Sequence, residues 1–300
     1  MELYSIDDQA FATLVLGNAQ LETLGEGFAW LEGPVWFGDH DCLYASDIPN
    51  DRVIRWSEAS GISEFCKPAG FPNGHARDRQ GRLLSCSHRE RQVTRTELDG
   101  TTTVLAREYR GKRLNSPNDV VCRSDGTVWF SDPLYGIQTD YEGGKQSAEL
   151  PPSLYRLDPA DGSLRVVASD FEGPNGLAFS PDERILYVSE TGDQFAPSPR
   201  RCIRKFAIEQ DGTLSGGESF HVVEPGYADG FKVDDRGNLW SSAADGVHCI
   251  APDGRLLGKI CAPFPVANVC FGGRNRSRLF ICASHSLLAI YTNVRGCVLP

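Results

Sequence analysis

The sequence lacks the features that mark several large classes of protein. No apolar run approaches the roughly 20 residues of a membrane-spanning helix, and the first eight residues are acidic where a secretory signal would be basic. No block of Lys and Arg interrupts a chain whose formal net charge is −10, which argues against nucleic acids and anionic membranes as partners. We therefore expect a cytoplasmic protein with neither partner.

Motifs for disulfide, serine-nucleophile or phosphate chemistry are also missing. The ten cysteines include no C-x-x-C pair, and Cys86, Cys122, Cys270 and Cys282 stand inside apolar runs. We therefore expect buried, reduced thiols rather than a disulfide framework. There is no serine-nucleophile elbow, no phosphate-binding glycine loop and no dinucleotide fingerprint.

The chain does contain a repeat. Six times, at spacings of about forty to sixty residues, an Asn, Asp or Glu stands just ahead of a short apolar run. A repeat of this length with four short strands is typical of a propeller blade, and 31 Gly with 18 Pro suit a chain dense in tight turns. The repeat therefore predicts an all-β, six-bladed β-propeller. Its polar residues are Glu32, Asn73, Asn118, Asn175, Asp229 and Asn268.

The blades are expected to form a single domain over residues 1–300. They would span residues 32–66, 73–106, 118–169, 175–224, 229–260 and 268–294. The last blade runs out of chain after its third strand, so we expect the segment Ala19–Leu24 to supply the fourth strand and close the ring. Nearer the N-terminus, Ser5 is expected to cap a short helix over residues 6–16.

Equivalent positions in the blades of a propeller lie on one ring around its axis. Glu32, Asn118, Asn175 and Asp229 would bring two carboxylates and two amide oxygens to that ring, and oxygen ligands suit a hard cation such as Ca²⁺. The absence of soft ligands disfavours zinc or copper. The alternative role is capping of strand starts by Asn and Asp. Glu32 favours the metal site, because Glu is a poor cap and would enter a buried strand without compensation.

The face around this ring is predicted to be the binding face. Two connections between second and third strands are long, Pro133–Pro152 and Thr191–Arg201, and insertions on one face usually mark a binding site. A second ring at the ends of the second strands comprises Asp47, His88, Asp132, Glu190 and His285. Asp132 could touch substrate and the two histidines could act as acids or bases, with a structural role in the channel wall as the alternative. His75, inside a first strand, is expected to be a core histidine.

Four motifs resemble the gluconolactonase family, which includes the senescence-marker proteins also called regucalcins. They are Glu32–Trp36, Ser116–Val120, Gly173–Asp182 and Ala228–Asp234. All four occur in order, and the resemblance runs from about residue 10 to the C-terminus. Gly74–Asp78 and Phe130–Gly136 make it most similar to the bacterial gluconolactonase-like branch. The resemblance implies a six-bladed propeller that holds one divalent metal in its channel and hydrolyses lactones.

The resemblance also implies roles for individual residues. Glu32, Asn175 and Asp229 match the family's metal ligands, and Asn118 matches a residue that binds the metal directly or through water and touches substrate. The regucalcin-type Arg-x-Asn-Asp motif is not preserved, because Ser116 stands where that motif has Arg. Arg113 from the same loop is the candidate replacement. Asp132 and Tyr135 complete the set of candidate substrate-binding residues.

We therefore expect a metal-dependent lactonase that converts a sugar lactone to the aldonic acid. The expected cofactor is one Ca²⁺, with Zn²⁺, Mg²⁺ and Mn²⁺ as alternatives. Asp229 is the expected catalytic base, unless the metal itself activates the attacking water by lowering its pKa. A metal-dependent phosphotriesterase and a non-enzymatic calcium-binding propeller are the alternative functions. The expected partner is a small lactone, bound by a monomer or dimer.

Overall fold

The computed structural model describes residues 2–297 of the chain. These residues form six antiparallel β-sheets that are arranged as the blades of a propeller. Helix is confined within them to the four-residue α1 (Tyr135–Gln138) and two 3₁₀ turns, Gln9–Thr13 and Ile48–Asn50. The predicted all-β, six-bladed fold is therefore confirmed.

Two strands, β1 (Tyr4–Ile6) and β2 (Glu22–Glu26), precede the first blade. Blade one contains β3 (Leu31–Phe37), β4 (Cys42–Asp47), β5 (Arg52–Ser57) and β6 (Gly61–Cys66). Blade two contains β7 (Pro72–Arg77), β8 (Leu83–Ser87), β9 (Gln92–Thr96) and β10 (Thr102–Ala106), and the short hairpin β11 (Glu108–Tyr109) and β12 (Lys112–Arg113) follows it. Blade three contains β13 (Val120–Cys122), β14 (Val128–Asp132), β15 (Ser153–Asp158) and β16 (Ser163–Ala168).

Blade four contains β17 (Pro174–Phe179), β18 (Ile185–Glu190), β19 (Cys202–Ile208) and β20 (Leu214–His221). Blade five contains β21 (Phe231–Val233), β22 (Leu239–Ala243), β23 (Gly246–Ile250) and β24 (Leu256–Cys261). Blade six contains β25 (Asn268–Gly272), β26 (Arg278–Ala283) and β27 (Ser286–Tyr291). The first strands contact one another in the closed order β3, β7, β13, β17, β21, β25 and back to β3, so they line the central channel.

The ring closes through the N-terminal part of the chain. Strand β2 pairs antiparallel with β27, with Glu22 opposite Ala289 and Glu26 opposite Ser286. This strand supplies the fourth strand of blade six, and it begins three residues later than the predicted segment Ala19–Leu24. The N-terminal and C-terminal parts of the chain are thus held in one sheet by backbone hydrogen bonds, with β2 at the outer edge of blade six.

The predicted N-terminal helix over residues 6–16 is present only as a shorter 3₁₀ helix, Gln9–Thr13. Ser5 is not a cap, because it lies in β1, which pairs with β24 as a fifth strand at the outer edge of blade five. The 3₁₀ turn Gln9–Thr13 follows, and Asp8 caps it by accepting a backbone N–H at 2.9 Å. Phe11 is 0% exposed and packs into the core of blades five and six. Strand pairing and burial of this ring therefore replace the longer helix.

The apolar core lies between neighbouring blades. Blades three and four, for example, share a cluster that includes Trp129, Leu177 and Phe206. Trp129 is 0% exposed, and its indole N–H donates to Thr127 Oγ1 at 2.9 Å, so its polar end is satisfied. The four cysteines named above are buried thiols without disulfide bonds. Among the described residues, no helix has the length and apolar character needed to span a bilayer.

Candidate metal centre and active site

One end of the channel holds a polar cavity of about 100 Å³. Glu32, Asn118, Asn175 and Asp229 all line it, because each stands at or just before the start of the first strand of its blade. Asn73 of blade two lines the same cavity. The structure therefore brings together the four side chains that the repeat singles out as candidate ligands.

Glycines allow the first strands to approach closely enough for these side chains to converge. A Cβ on Gly33 would lie 2.0 Å from the carbonyl oxygen of Asn73, and a Cβ on Gly176 would lie 2.3 Å from that of Asp229. Gly33 also has a φ of 55°, in the left-handed region that favours glycine. A side chain at either position would force neighbouring blades apart, so the glycine after the polar residue is part of the site.

Glu32 is a buried carboxylate with one oxygen that lacks a protein partner. Its side chain is 3% exposed, and its Oε2 accepts from Gly33 N at 2.7 Å and from Asn268 Nδ2 at 3.0 Å. Its Oε1 is buried and has no hydrogen-bond partner. Burial raises the pKa of this carboxyl to about 7, against the lowering effect of the bond from Asn268. A buried acceptor of this kind suits a ligand that the protein atoms do not supply.

Asp229 enters the same cavity from blade five. Its backbone N–H donates to Ser242 Oγ at 2.8 Å, and its carbonyl oxygen accepts from Ser189 Oγ at 2.6 Å and from Gly176 N at 3.1 Å. Burial, and after it the charge of Glu32, raises the pKa of the Asp229 carboxyl well above its usual range. A cation bound here would favour the ionised form of both carboxyls.

The donor set fits a hard divalent cation. It combines two carboxylates with two amide side chains, and Glu32 Oε1 is an acceptor without a partner. Over residues 2–297, no three or more His, Cys, Asp or Glu side chains come together in a way that could hold a metal ion. A metal ion held in this cavity would therefore need the amide oxygens of Asn118 and Asn175 as well as Glu32 and Asp229. Donors that are all oxygen suit Ca²⁺ or Mg²⁺ better than Zn²⁺.

The carboxylates of the second predicted ring serve the scaffold. Asp132 is 0% exposed, lies outside the cavity lining, and accepts the backbone N–H of Asn115 on its Oδ2 at 2.8 Å. The expected contact of Asp132 with substrate is therefore not supported. Asp47 and Glu190 likewise accept backbone N–H groups from the segments that enter their own blades, at 2.9 and 2.8 Å. Buried N–H groups need acceptors, and these carboxylates supply them.

The histidines also lie outside the cavity lining. His75 is 2% exposed and hydrogen-bonds the hydroxyls of Ser46 and Ser85, both at 2.8 Å, as expected of a core histidine. His88 is 0% exposed, and burial lowers the pKa of both rings to about 4. His285 Nδ1 bonds a backbone carbonyl at 3.1 Å. His75 and His88 are therefore neutral at physiological pH.

Of the remaining substrate candidates, Tyr135 lines the cavity and Arg113 does not. The Tyr135 hydroxyl bonds the carbonyl oxygens of Gly173 at 3.0 Å and Gly192 at 2.9 Å, and so joins the insertions of blades three and four. Arg113 lies in the exposed hairpin of β11 and β12, where its backbone N–H donates to Glu149 at 3.0 Å. The structure therefore places Arg113 outside the cavity lining and does not support it as the replacement arginine.

The cavity lining also contains residues that the repeat does not mark. Glu142 comes from the blade-three insertion, Arg201 from the blade-four insertion, and Trp30 and Tyr227 from the segments that lead into blades one and five. The Arg201 guanidinium lies 4.3 Å from the centroid of the Tyr227 ring. Both insertions thus border the cavity, as the strand directions predict, but nothing in the repeat identifies which of their side chains point inward.

A second cavity, of about 140 Å³, lies at the opposite end of the channel. The downstream halves of the first strands line it, with apolar residues such as Trp36, Phe179 and Phe271. It lacks the convergence of carboxylate and amide groups seen around Glu32. We therefore assign the candidate site to the polar cavity.

Fold and site together define a six-bladed β-propeller with a polar cavity, lined by carboxylate and amide side chains, at one end of its channel. The chain belongs to the SMP-30/gluconolactonase/LRE-like family, whose sequence model matches residues 30–285.

Individual relatives agree with this membership. The chain is 32% identical to a gluconolactonase of Zymomonas mobilis, over 93% of this chain and 83% of the relative. It is 30% identical to the pentonolactonase XacC of Haloferax volcanii, over 83% of this chain and 80% of the relative. The solved structure of a gluconolactonase from Xanthomonas campestris is similar with a TM-score of 0.90 and 38% identity, and the match covers 97% of this chain and 95% of that one.

Proposed function

We propose that the protein is a divalent-metal-dependent lactonase that hydrolyses a sugar lactone to the aldonic acid. Family membership and its lactonase relatives make it a lactone-hydrolysing enzyme. Relatives named for gluconolactones and pentonolactones support a sugar lactone as the substrate. The observation that carries the metal dependence is the unpartnered, buried Oε1 of Glu32 in a cavity shared with a second carboxylate and two amides.

Glu32, Asn118, Asn175 and Asp229 are the proposed ligands, and Ca²⁺ is the proposed cation because all four donors are oxygens. When bound, the cation would stabilise the negative charge that develops on the lactone carbonyl oxygen during hydrolysis. Asp229 is the candidate base for the attacking water. Tyr135, which also lines the cavity, is the candidate to contact substrate hydroxyl groups.

The test is a panel of aldono-1,4- and aldono-1,5-lactones, with a phosphotriester as counter-substrate, assayed before and after chelation. Chelation should abolish lactone turnover, and adding back Ca²⁺, Mg²⁺, Mn²⁺ or Zn²⁺ in separate samples should restore it for the native cation. Calorimetry should show one cation bound per chain. Asp229→Asn should weaken that binding, whereas Asp99→Asn, the same change in an exposed Asp-Gly turn, should not.

Three results would overturn the proposal or part of it. Full lactone turnover by protein proven free of metal would remove the metal dependence, and turnover of the phosphotriester alone would replace the lactonase assignment. Unchanged cation affinity in Asp229→Asn would show that the ligand set is wrong.

A further inference from the structure

The polar cavity contains a third carboxylate that does not belong to the ring. Glu142 lines the cavity together with Glu32 and Asp229, but it comes from the long connection between β14 and β15 rather than from a first strand. Its side chain is 25% exposed. Glu142 is therefore an acidic group at the site that the proposed cation ligands do not account for.

The backbone around Glu142 is held in place by blade two. His88 Nδ1 donates to the carbonyl oxygen of Glu142 at 3.0 Å, and the Arg89 guanidinium donates to that of Gly143 at 3.1 and 3.0 Å. A Cβ on Gly143 would lie 2.4 Å from the carbonyl oxygen of Gly136, so the turn is packed closely against its own insertion. The side chain thus projects from a fixed backbone into the cavity.

The carboxyl of Glu142 has no hydrogen-bond partner among the described residues. His88 Nδ1 lies 4.0 Å from its Oε2, but that ring is neutral and directs its N–H to the backbone. Arg89 is engaged with the carbonyl of Gly143. The Glu142 carboxyl also interacts electrostatically with three other titratable groups, Tyr141, Tyr227 and Asp229. Burial raises the pKa of Glu142 to about 7 in the metal-free protein. Because Glu142 is outside the ligand set, a bound cation would lower its pKa less than the pKa values of Glu32 and Asp229.

Lactone hydrolysis needs such a proton. Water oxygen bonds to the carbonyl carbon, the bond from that carbon to the ring oxygen breaks, and the electron pair stays on the ring oxygen, which leaves as a poor alkoxide unless it is protonated. Glu32 and Asp229 hold no proton before the attack, because a bound cation would keep both ionised, and Asp229 is then needed as the base that takes a proton from the water. A carboxylic acid outside the ligand set, with a pKa near the working pH, is suited to it.

We propose that Glu142 is the general acid of the reaction, which delivers its proton to the ring oxygen of the lactone as the carbon–oxygen bond breaks. This inference rests on the proposed lactonase function. The attacking water gives one proton to Asp229, and its other proton stays on the new carboxyl group. The carboxyl group and Asp229 then release their protons to solvent, the product leaves as the aldonate, and Glu142 regains a proton from solvent through the mouth of the cavity.

The experiment compares Glu142→Gln and Glu142→Asp with Glu149→Gln, a matched change at an exposed Glu of the same insertion. Each protein is assayed on glucono-1,5-lactone with saturating cation from about pH 5 to about pH 9. Glu142→Gln should lower kcat by about 100-fold or more while KM and calcium affinity stay within a few-fold. The wild-type kcat should fall as pH rises through the pKa of Glu142 in the cation-bound enzyme, because the acid loses its proton. This fall should vanish in Glu142→Gln and persist in Glu142→Asp.

Several results would overturn the assignment. These are a Glu142→Gln enzyme with wild-type kcat, a rise in KM alone, an alkaline fall that survives in Glu142→Gln, or loss of calcium binding. The first two results would leave the lactonase function intact. An unchanged kcat would show that Glu142 has no catalytic role, and a rise in KM alone would show that it only binds substrate hydroxyl groups. If the wild-type protein hydrolyses no lactone with any cation, the proposed function itself fails.

Discussion

Replacing Glu32 by Gln should stabilise the metal-free protein at neutral and alkaline pH. The Glu32 side chain is 3% exposed, and burial raises the pKa of its carboxyl from 4.5 to about 7. One pKa unit corresponds to about 1.4 kcal/mol of free energy, so ionised Glu32 costs the folded state about 3 kcal/mol relative to the unfolded chain. The amide of Gln avoids this cost because it carries no charge.

The direction in which the unfolding free energy changes with pH depends on whether the folded or the unfolded state binds the Glu32 proton more tightly. The folded protein holds the Glu32 proton to higher pH than the unfolded chain does, so this contribution to stability is complete below about pH 4.5 and is lost as pH rises through about 7. The difference in unfolding free energy between Glu32→Gln and the wild type should therefore grow by about 3 kcal/mol from about pH 4.5 to about pH 8.

The assay is urea denaturation of chelated proteins across this pH range. Glu64→Gln, at an exposed position of β6, is the matched control and should show no such growth. Calcium should then reverse the order, because a ligand at 100 times its Kd stabilises the protein by about 2.7 kcal/mol, and Glu32→Gln should bind it less tightly. A difference that stays flat with pH, or equal stabilisation of both proteins by calcium, would refute this account of Glu32.

Four further predictions test the proposed site and the scaffold that holds it. Asp229→Asn should lower calcium affinity by roughly tenfold or more, because it removes one of two ligand charges, and Asn175→Asp should retain more affinity than Asn175→Ala in the same calorimetric titration. Replacement of Ile137–Leu150 by a short Gly/Ser linker also removes Glu142, so it should lower kcat on every lactone as well as change the relative kcat/KM across lactones, while calcium affinity stays within a few-fold. Loss of calcium binding would instead make this segment part of the metal site. Asp47→Ala should lower the unfolding free energy by about 3 kcal/mol, because the partly buried Arg52 guanidinium and the backbone N–H of Ala29 lose the buried carboxylate that accepts from them. Asp39→Ala, at a carboxylate that is 66% exposed, should have little effect.

The six blades and the site residues at their starts can be predicted from the sequence because their signals are local and repeated. Each blade begins with a polar residue ahead of an apolar run, and the same position in successive blades must face the same axis once the sheets close into a ring. That symmetry alone brings Glu32, Asn118, Asn175 and Asp229 into one cavity. The glycines at positions 33, 176 and 230 belong to the same pattern, since neighbouring strands approach closely there.

The roles of residues outside the repeat cannot be predicted in the same way. They depend on which hydrogen-bond or strand partner each residue meets in the folded chain. Asp132 has the residue type and the position of a substrate contact, but its carboxylate accepts a hydrogen bond from the buried backbone N–H of Asn115. Ser5 has the sequence context of a helix cap, but its backbone pairs with β24 at the outer edge of blade five and forms part of a strand. Glu142 lies in an insertion without periodicity, and hydrogen bonds from blade two, 54 residues away, turn it towards the cavity. Such contacts join segments that share no sequence signal, so only the folded chain decides them.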